Sequence, residues 1–367
     1  MTIATIGGVI LLLVFLQGWL YKKFWRRGFS ASVYFSAKEA FEGDKMTLNQ
    51  EFENRKLLPL PWVFIEFQLS QRLIFSEDFV SGEDGFKRDL FAIKTFQKIR
   101  RKIPFVASRR GFYTLKEVNL KASNLLHTKR YEGFFSTYKE LTVFPKILDD
   151  DHEIALAYKN LDAMILSNAL TNPDPFEFRG IRDYHPTDAL KDINFKASAI
   201  GQQLMVNIHA PVAAQRLEIV LNLQRYSTSD YKEVHEQAIR LAATIAAHYI
   251  DQDVQVGLYT NGRDNNSRKI AALPLGQSAA HLYNILTALA HINLSNVPVP
   301  IAPYLETISK PDAVYVIISS YYGEDLTAAM GQMKDAGVVH HMFMPVESRF
   351  APIADVCDEI TVWEATG

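Results

Sequence analysis

The chain has a single cysteine, Cys357, in 367 residues. That excludes an intramolecular disulfide framework and a cysteine-rich zinc site, and it fits a reducing compartment. Basic charge is not in excess either: 39 Lys and Arg stand against 41 Asp and Glu, a formal net charge of -2. Bulk attraction to nucleic acid is therefore not expected. No glycine-rich loop of the phosphate-binding kind is present, and the pair Gly7-Gly8 falls inside an apolar run. Internal repeats and long low-complexity tracts are also missing. What is left, 48% hydrophobic and 22% charged residues, is the composition of a globular protein of about two domains.

Charge is absent from one long stretch, residues 1–21, MTIATIGGVILLLVFLQGWLY. As a helix at ~1.5 Å per residue it reaches roughly 30 Å, about the thickness of a bilayer core. Trp19 and Tyr21 fall where an interfacial aromatic belt sits. A basic juxtamembrane segment over 22–30 follows, with Lys22, Lys23, Arg26 and Arg27. A cleaved signal peptide carries its basic residues ahead of the apolar run. The expectation is a single-pass inner-membrane helix with the soluble domains in the cytoplasm.

Residues 31–146 read as β structure. VYFSA, MTLNQEF, WVFIEFQLS, FVASRRGFYTLKEVNL and LTVFPKI alternate apolar and polar over short runs. WVFIEFQLS sets Val63, Ile65, Phe67 and Leu69 on one face and Trp62, Phe64, Glu66 and Gln68 on the other. Arg109-Arg110-Gly111 reads as a tight turn between strands. An antiparallel sandwich of about seven strands is the economical solution. Residues 147–175 form a helical connector that begins near Glu153 and is broken by TNPDP. The three aspartates beside His152 read as a solvated helix start rather than a metal site.

From Leu204 the pattern alternates strand and helix. LMVNIH, 217–223, 254–260, 313–319, 338–344 and 360–363 are strands. Helices are expected near 230–250, 277–291, 323–336 and 350–356. LEIVLNL and AVYVIIS are nearly continuous apolar runs, as central strands covered on both faces require. The implied architecture is a multidomain α+β protein: a transmembrane helix, an antiparallel β-sandwich, then a doubly wound α/β domain over 211–367. Two further features read as ordinary structure. His340 and His341 alternate across a strand and cannot share one ligand, and Arg263, Arg268 and Lys269 mark a polar loop tip.

The densest chemistry lies in 176–210, FEFRGIRDYHPTDALKDINFKASAIGQQLMVNIHA. Thr187 is a suitable N-cap for a helix over DALKDINFKASA, with Asp188 in its first turn. Leu190, Ile193 and Ala197 would dock that helix. Asp188 and Asp192 would share a face and repel, so a cation must offset them. Lys191, Lys196, Arg179 and Arg182 are the local candidates. An internal charge network is the preferred reading; a partner-facing surface and a catalytic acid–base set stay open beside it.

The run Glu177-Phe178, Ile181-Arg182, Asp183-Tyr184, Pro186, Asp188, Lys191, Ile193-Asn194-Phe195-Lys196 and Ala199 resembles the signature of the family known as domain of unknown function 58 (DUF58). The turn Arg110-Gly111-Phe112-Tyr113 and the run LTVFP at 141–145 agree with it. The departures are Thr187 for Gly, Lys191 for Arg, Phe195 for Trp and Ile200 for Arg, and two of these remove a planar guanidinium. The resemblance implies a C-terminal domain similar to von Willebrand factor A domains, which hold Mg²⁺ with an Asp-x-Ser-x-Ser motif after the first strand. Here Asn222, Gln224 and Tyr226 would take those places, with Ser319 or Ser320 in place of a later acidic residue; neutral groups bind Mg²⁺ poorly. A shifted set, Ser227, Ser229 and Asp230, reads as a helix cap instead.

No metal, no cofactor, no small-molecule substrate and no enzymatic activity are therefore expected. The resemblance implies a membrane-anchored scaffold whose partner is a MoxR-type AAA+ ATPase, acting in maturation of envelope components or protein complexes. Arg182, Asp188, Lys191, Asp192 and Lys196 would carry a structural charge network, with Tyr184 and Phe195 as packing anchors. The alternative is a Mg²⁺-dependent adhesion module on the outer side of the membrane.

Overall fold

A computed structural model of the chain describes all residues except 1, 71, 76–85, 150–151, 172, 187, 212–214, 226–230, 266, 297, 309–312, 347–359 and 365–367. It divides into two compact units, Met1–Lys146 and Ile147–Gly367.

The first unit opens with helix α1 (Thr2–Phe24), followed by nine strands among the described residues. These are β1 (Phe29–Phe35), β2 (Glu39–Phe41), β3 (Lys45–Asn54), β4 (Leu60–Gln68), β5 (Leu73–Phe75), β6 (Phe86–Ile93), β7 (Lys98–Ala107), β8 (Gly111–Ser123) and β9 (Arg130–Phe144). One sheet has the order β1-β3-β7-β5, the other β2-β9-β8-β4-β6. The expected seven strands fall short because β2 and β5, at three residues each, are too short to show an alternation. The sandwich is also not wholly antiparallel, since β2 runs parallel to β9. Its core follows the period-2 pattern. Val63, Ile65 and Phe67 are fully buried on β4, while Trp62 and Phe64 stay exposed. Phe52 of one sheet meets Phe91 of the other with ring centroids 4.8 Å apart. At the 109–111 turn the Tyr113 hydroxyl donates back to the Arg109 carbonyl at 2.6 Å, a bond that fastens the turn onto β8.

α1 corrects the expected boundary at residue 21. It runs on through Lys22 and Lys23 to Phe24, and β1 starts at Phe29. Tyr21 is not an interfacial residue. It is buried in the sandwich core, and its hydroxyl donates to the Pro59 carbonyl at 2.8 Å. Trp19 remains half exposed. Trp25 stacks on Tyr131, whose hydroxyl donates to the Gly18 carbonyl at 3.1 Å. Gly133 makes room for this: a Cβ there would stand 2.8 Å from the Trp25 ring.

The second unit begins with α2 (His152–Thr171), then β10 (Pro173–Asp183), α3 (Phe195–Gly201) and β11 (Met205–Pro211). There follow β12 (Arg216–Asn222), α4 (Lys232–Asp251), β13 (Gln255–Arg263), β14 (Ile270–Gly276), α5 (Ala279–His291), α6 (Ala302–Ile308), β15 (Val314–Ser319), α7 (Glu324–Asp335), β16 (His340–Val346) and β17 (Ile360–Glu364). The main sheet has the order β14-β13-β12-β15-β16-β17. All neighbours pair in parallel except β14, which folds back antiparallel on β13. Every residue of β15 is buried, as a central strand demands. The loop of Arg263, Arg268 and Lys269 is the turn of the β13–β14 hairpin. LMVNIH does not join this sheet; as β11 it pairs with β10 in a separate two-stranded ribbon. α4 is buried nearly all round, because Tyr158 of α2 stacks on His248 and Tyr249 donates to Asp162 at 2.9 Å. The aspartates 150–151, the expected helix at 350–356 and Cys357 lie outside the described residues.

Candidate functional site

Two clusters in the second unit hold the residues singled out from the sequence. The first is the ribbon of β10 and β11 with the segment between them. Arg182, near the end of β10, reaches across a turn to Asp188. Its two terminal nitrogens donate to both carboxylate oxygens at 2.6 Å each. The His185 amide adds a third bond to Asp188 at 2.7 Å. Paired with the guanidinium first and the amide second, the Asp188 carboxyl is pulled from its ordinary 3.8 to about 2. This bidentate fork is the strong form of an Arg–carboxylate pair. It closes the expected network at one point only.

The rest of that expectation is corrected. There is no single helix from Asp188. Leu190–Asp192 is one 3-10 turn, Ile193 forms a bridge to Val206, and α3 begins at Phe195. Asp192 and Lys196 therefore sit on different elements, and the helical spacing expected to pair them, and to align Asp188 with Asp192, does not exist. Lys191 and Lys196 are exposed. Asn194 is the cap: its carbonyl oxygen accepts from the Ala197 amide at 2.9 Å, and its amide nitrogen donates to Asn207 at 2.7 Å. The Ser198 hydroxyl accepts from the Met205 amide at 2.9 Å. These two residues fasten α3 to β11. Asn194 was open to detection, since an Asn directly ahead of FKAS is a capping signal. Thr187, the expected cap, and the side chain of Arg179 lie outside the described set.

Packing is the larger surprise. Tyr184 is half-buried, but Phe195 is no anchor, being 75% exposed. Leu190 does not dock its segment either. With Phe178, Ile181, Ile200 and Leu204 it joins Phe195 among the exposed large apolar side chains of this ribbon. α3, seven residues long, buries none of its own residues. A rigid polar frame thus carries a set of apolar side chains turned to solvent.

The second cluster lies at the C-terminal ends of β12, β13 and β15, where the strand order reverses and where ligands collect in doubly wound sheets. Asn222 donates to the Ser319 hydroxyl at 2.9 Å and accepts from Asn261 at 2.8 Å and from the Gln224 amide at 3.0 Å. Asn261 also accepts from the Leu223 amide and donates to the Val299 carbonyl, each at 2.8 Å. Gln224 accepts from the Ile301 amide at 2.9 Å. Asn222, Asn261 and Ser319 are fully buried. Ser319, not Ser320, faces this network, because β15 ends with Ser319 paired to Asn222. Asn261 had no sequence signal of its own. These side-chain oxygens are uncharged and already engaged, so the described set does not fit a hard dication. Among the described residues no three His, Cys, Asp or Glu gather as ligands. Tyr226 and the shifted set Ser227, Ser229 and Asp230 lie outside the described residues.

Residues 180–346, which hold both clusters, match the family described as protein of unknown function DUF58. The chain is also similar to the uncharacterized protein YeaD of Bacillus subtilis (strain 168), 22% identical over 312 residues, covering 82% of this chain and 72% of that protein. Among solved structures it is similar to the seventh ScaB type I cohesin from Pseudobacteroides cellulosolvens, with 18% identity, 33% of this chain, 97% of that chain and a TM-score of 0.24. A non-cellulosomal cohesin from Archaeoglobus fulgidus gives 11% identity, 35% and 97% coverage, and a TM-score of 0.23. At such scores the likeness says nothing of function.

Proposed function

We propose that this protein is a non-enzymatic, membrane-anchored interaction protein. α1 holds it in the inner membrane with both soluble units in the cytoplasm, and the β10–α3–β11 surface receives a protein partner. The observation that carries the reading is the exposed apolar set from Phe178 to Leu204, held on a frame pinned by the Arg182–Asp188 fork. Several large apolar side chains exposed on one short segment that also carries Lys191, Asp192 and Lys196 have the composition of a protein interface. α1 is long and apolar enough to cross a membrane, and the basic residues after it favour the cytoplasmic side. The family resemblance supplies the partner class, a MoxR-type AAA+ ATPase, and a role in maturation of envelope components or complexes. The second unit is read as a von Willebrand factor A-like domain that has exchanged its metal for amides. Its reversed strand order, antiparallel edge strand and neutral switch-point network support this.

The test is a crosslinking pull-down from native membranes with wild type, Phe195→Glu and Asp188→Ala as parallel baits. Wild type should recover an AAA+ ATPase, Phe195→Glu should lose it, and Asp188→Ala should weaken it. No ATPase on the wild-type bait removes the partner. Equal recovery with Phe195→Glu removes this surface as the contact.

A further inference from the structure

The first unit has its own unpartnered surface, at the end of the sandwich that holds α1. Three loops meet there: 55–59 between β3 and β4, 94–97 between β6 and β7, and 124–129 between β8 and β9. Their proximity to α1 is fixed by hydrogen bonds. Tyr21 donates to Pro59 at 2.8 Å, and the Lys56 ammonium donates to the Trp25 carbonyl at the end of the helix. The Thr95 hydroxyl donates to the Leu57 carbonyl at 2.8 Å, which ties the second loop to the first. Tyr131, just past the third loop, donates to Gly18, and His127 in that loop lies edge-on to Trp62 of β4.

Each loop presents apolar side chains outward. Leu57 is 76% exposed, Phe96 68%, and Leu125 and Leu126 are both more than half exposed. Phe96 has φ 52°, a left-handed conformation that a bulky side chain rarely adopts. Its amide donates to the Lys56 carbonyl at 3.3 Å and the Lys94 amide donates to Gln97 at 2.7 Å, so the turn holds this conformation with the Phe96 ring outside the core. The loops are also of one charge. They contain Arg55, Lys56, Lys94 and Lys129 and no Asp or Glu; Arg55 pairs with Glu53 of β3 at 2.9 Å, and Lys94 and Lys129 are exposed loop cations. Lys22, Lys23, Arg26 and Arg27 stand exposed beside them.

The dimensions agree. The candidate span Thr5–Phe24 and the seat of α1 on the sandwich overlap from Gly18 onward. That overlap is roughly 9 Å at ~1.5 Å per residue. The headgroup region on one side of a bilayer is about 5–7 Å deep. The overlap is deeper than that layer, so a membrane that takes the whole span must receive the loop end of the sandwich through its headgroups as far as the acyl boundary.

We infer that this loop end is a second membrane contact, with Leu57, Phe96, Leu125 and Leu126 seated at the acyl–headgroup boundary and the surrounding Lys and Arg on anionic lipid. The inference rests on the membrane-spanning reading of α1. It makes the sandwich a rigid plinth rather than a domain on a flexible stalk.

The test uses the full chain in a Cys357→Ser background, with single cysteines Leu57→Cys, Phe96→Cys and Leu125→Cys carrying an environment-sensitive fluorophore. Ile74→Cys, an exposed apolar position at the opposite end of the sandwich, and Leu12→Cys in α1 are the references. The protein is reconstituted into phosphatidylethanolamine/phosphatidylglycerol vesicles that contain lipid with a quencher near the headgroup end of its acyl chain. The expected result is quenching at all three loop probes several-fold above that at Ile74. Loop probes quenched no more than Ile74, with Leu12 still quenched, overturn the inference and leave the span. An unquenched Leu12 overturns the span and the inference together. Three separate probes keep the result decisive if one substitution disturbs its loop.

Discussion

Asn222, Asn261 and Ser319 share one hydrogen-bonded network with no solvent exposure. Arg182 and Asp188, in the same unit, hold full opposite charges with the arginine side chain 45% exposed. The difference follows from the cost of taking groups out of water. An amide can be buried at little cost if each of its atoms finds a partner, whereas a carboxylate in the same place needs a counter-ion. The sealed cluster is neutral and its groups satisfy one another. The open cluster keeps its charges because water still reaches them. The first is suited to holding three strand ends together, the second to framing a surface that meets something else.

The largest test of this contrast is to charge the sealed cluster. Asn222→Asp removes the donor to Ser319 and buries an anion, and should cost about 3 kcal/mol or more of stability in a denaturant titration. Millimolar Mg²⁺ should restore none of it; a Mg²⁺-dependent rise in the midpoint would bring the adhesion reading back. Next is Gly262→Ala beside the same cluster. Its Cβ would stand 2.7 Å from Leu223 Cδ1 and 2.9 Å from Ile292 Cγ2, both on buried side chains. Overpacking there should lower stability by about 1–3 kcal/mol, visible as a fall in Tm.

The open cluster should respond to acid. The Asp188 carboxyl lies below its unfolded value, so its stabilising effect is complete above 3.8 and is lost as pH falls toward about 2. The NMR shift of the His185 amide, which donates to Asp188, should titrate with a midpoint of about 2. In Arg182→Ala that midpoint should move up toward the ordinary value; an unmoved midpoint would mean that the fork does not form in solution. The smallest effect is expected at Phe195→Glu. Stability should stay within about 0.5 kcal/mol of wild type, while partner capture is lost. A large stability loss would show that Phe195 is buried after all.

Legibility tracked the range over which each feature is decided. Val63, Ile65 and Phe67 could be assigned inward from alternation alone, and the full burial of β15 followed from its unbroken apolar run. Arg182 and Asp188 could be nominated only as members of a wider set, with Arg179, Lys191 and Lys196 offered beside Arg182 as the offsetting cation. The segment beyond them misled. Leu190, Ile193 and Ala197 have helical spacing, yet the pairing of Ile193 with Val206 interrupts the helix and leaves Leu190 outside. Tyr21 looked like a membrane-interface residue because its aromatic ring and basic neighbours fit that role equally well.

By itself the sequence determined the elements whose pattern is local. These are the uncharged run of residues 1–21 that makes most of α1, the alternating strands of the sandwich, the alternation of strand and helix after Leu204, and the want of carboxylates at 222, 224 and 319. Side-chain period and composition suffice for these, because burying one face of a strand or helix is settled within a few residues. Only the tertiary structure decided that Asn222 meets Asn261 and Ser319, that Tyr21 packs in the sandwich core, and that Phe195 faces solvent. Each depends on which surfaces are brought together across long separations in the chain. Desolvation acts on that arrangement and not on the identity of the residue alone.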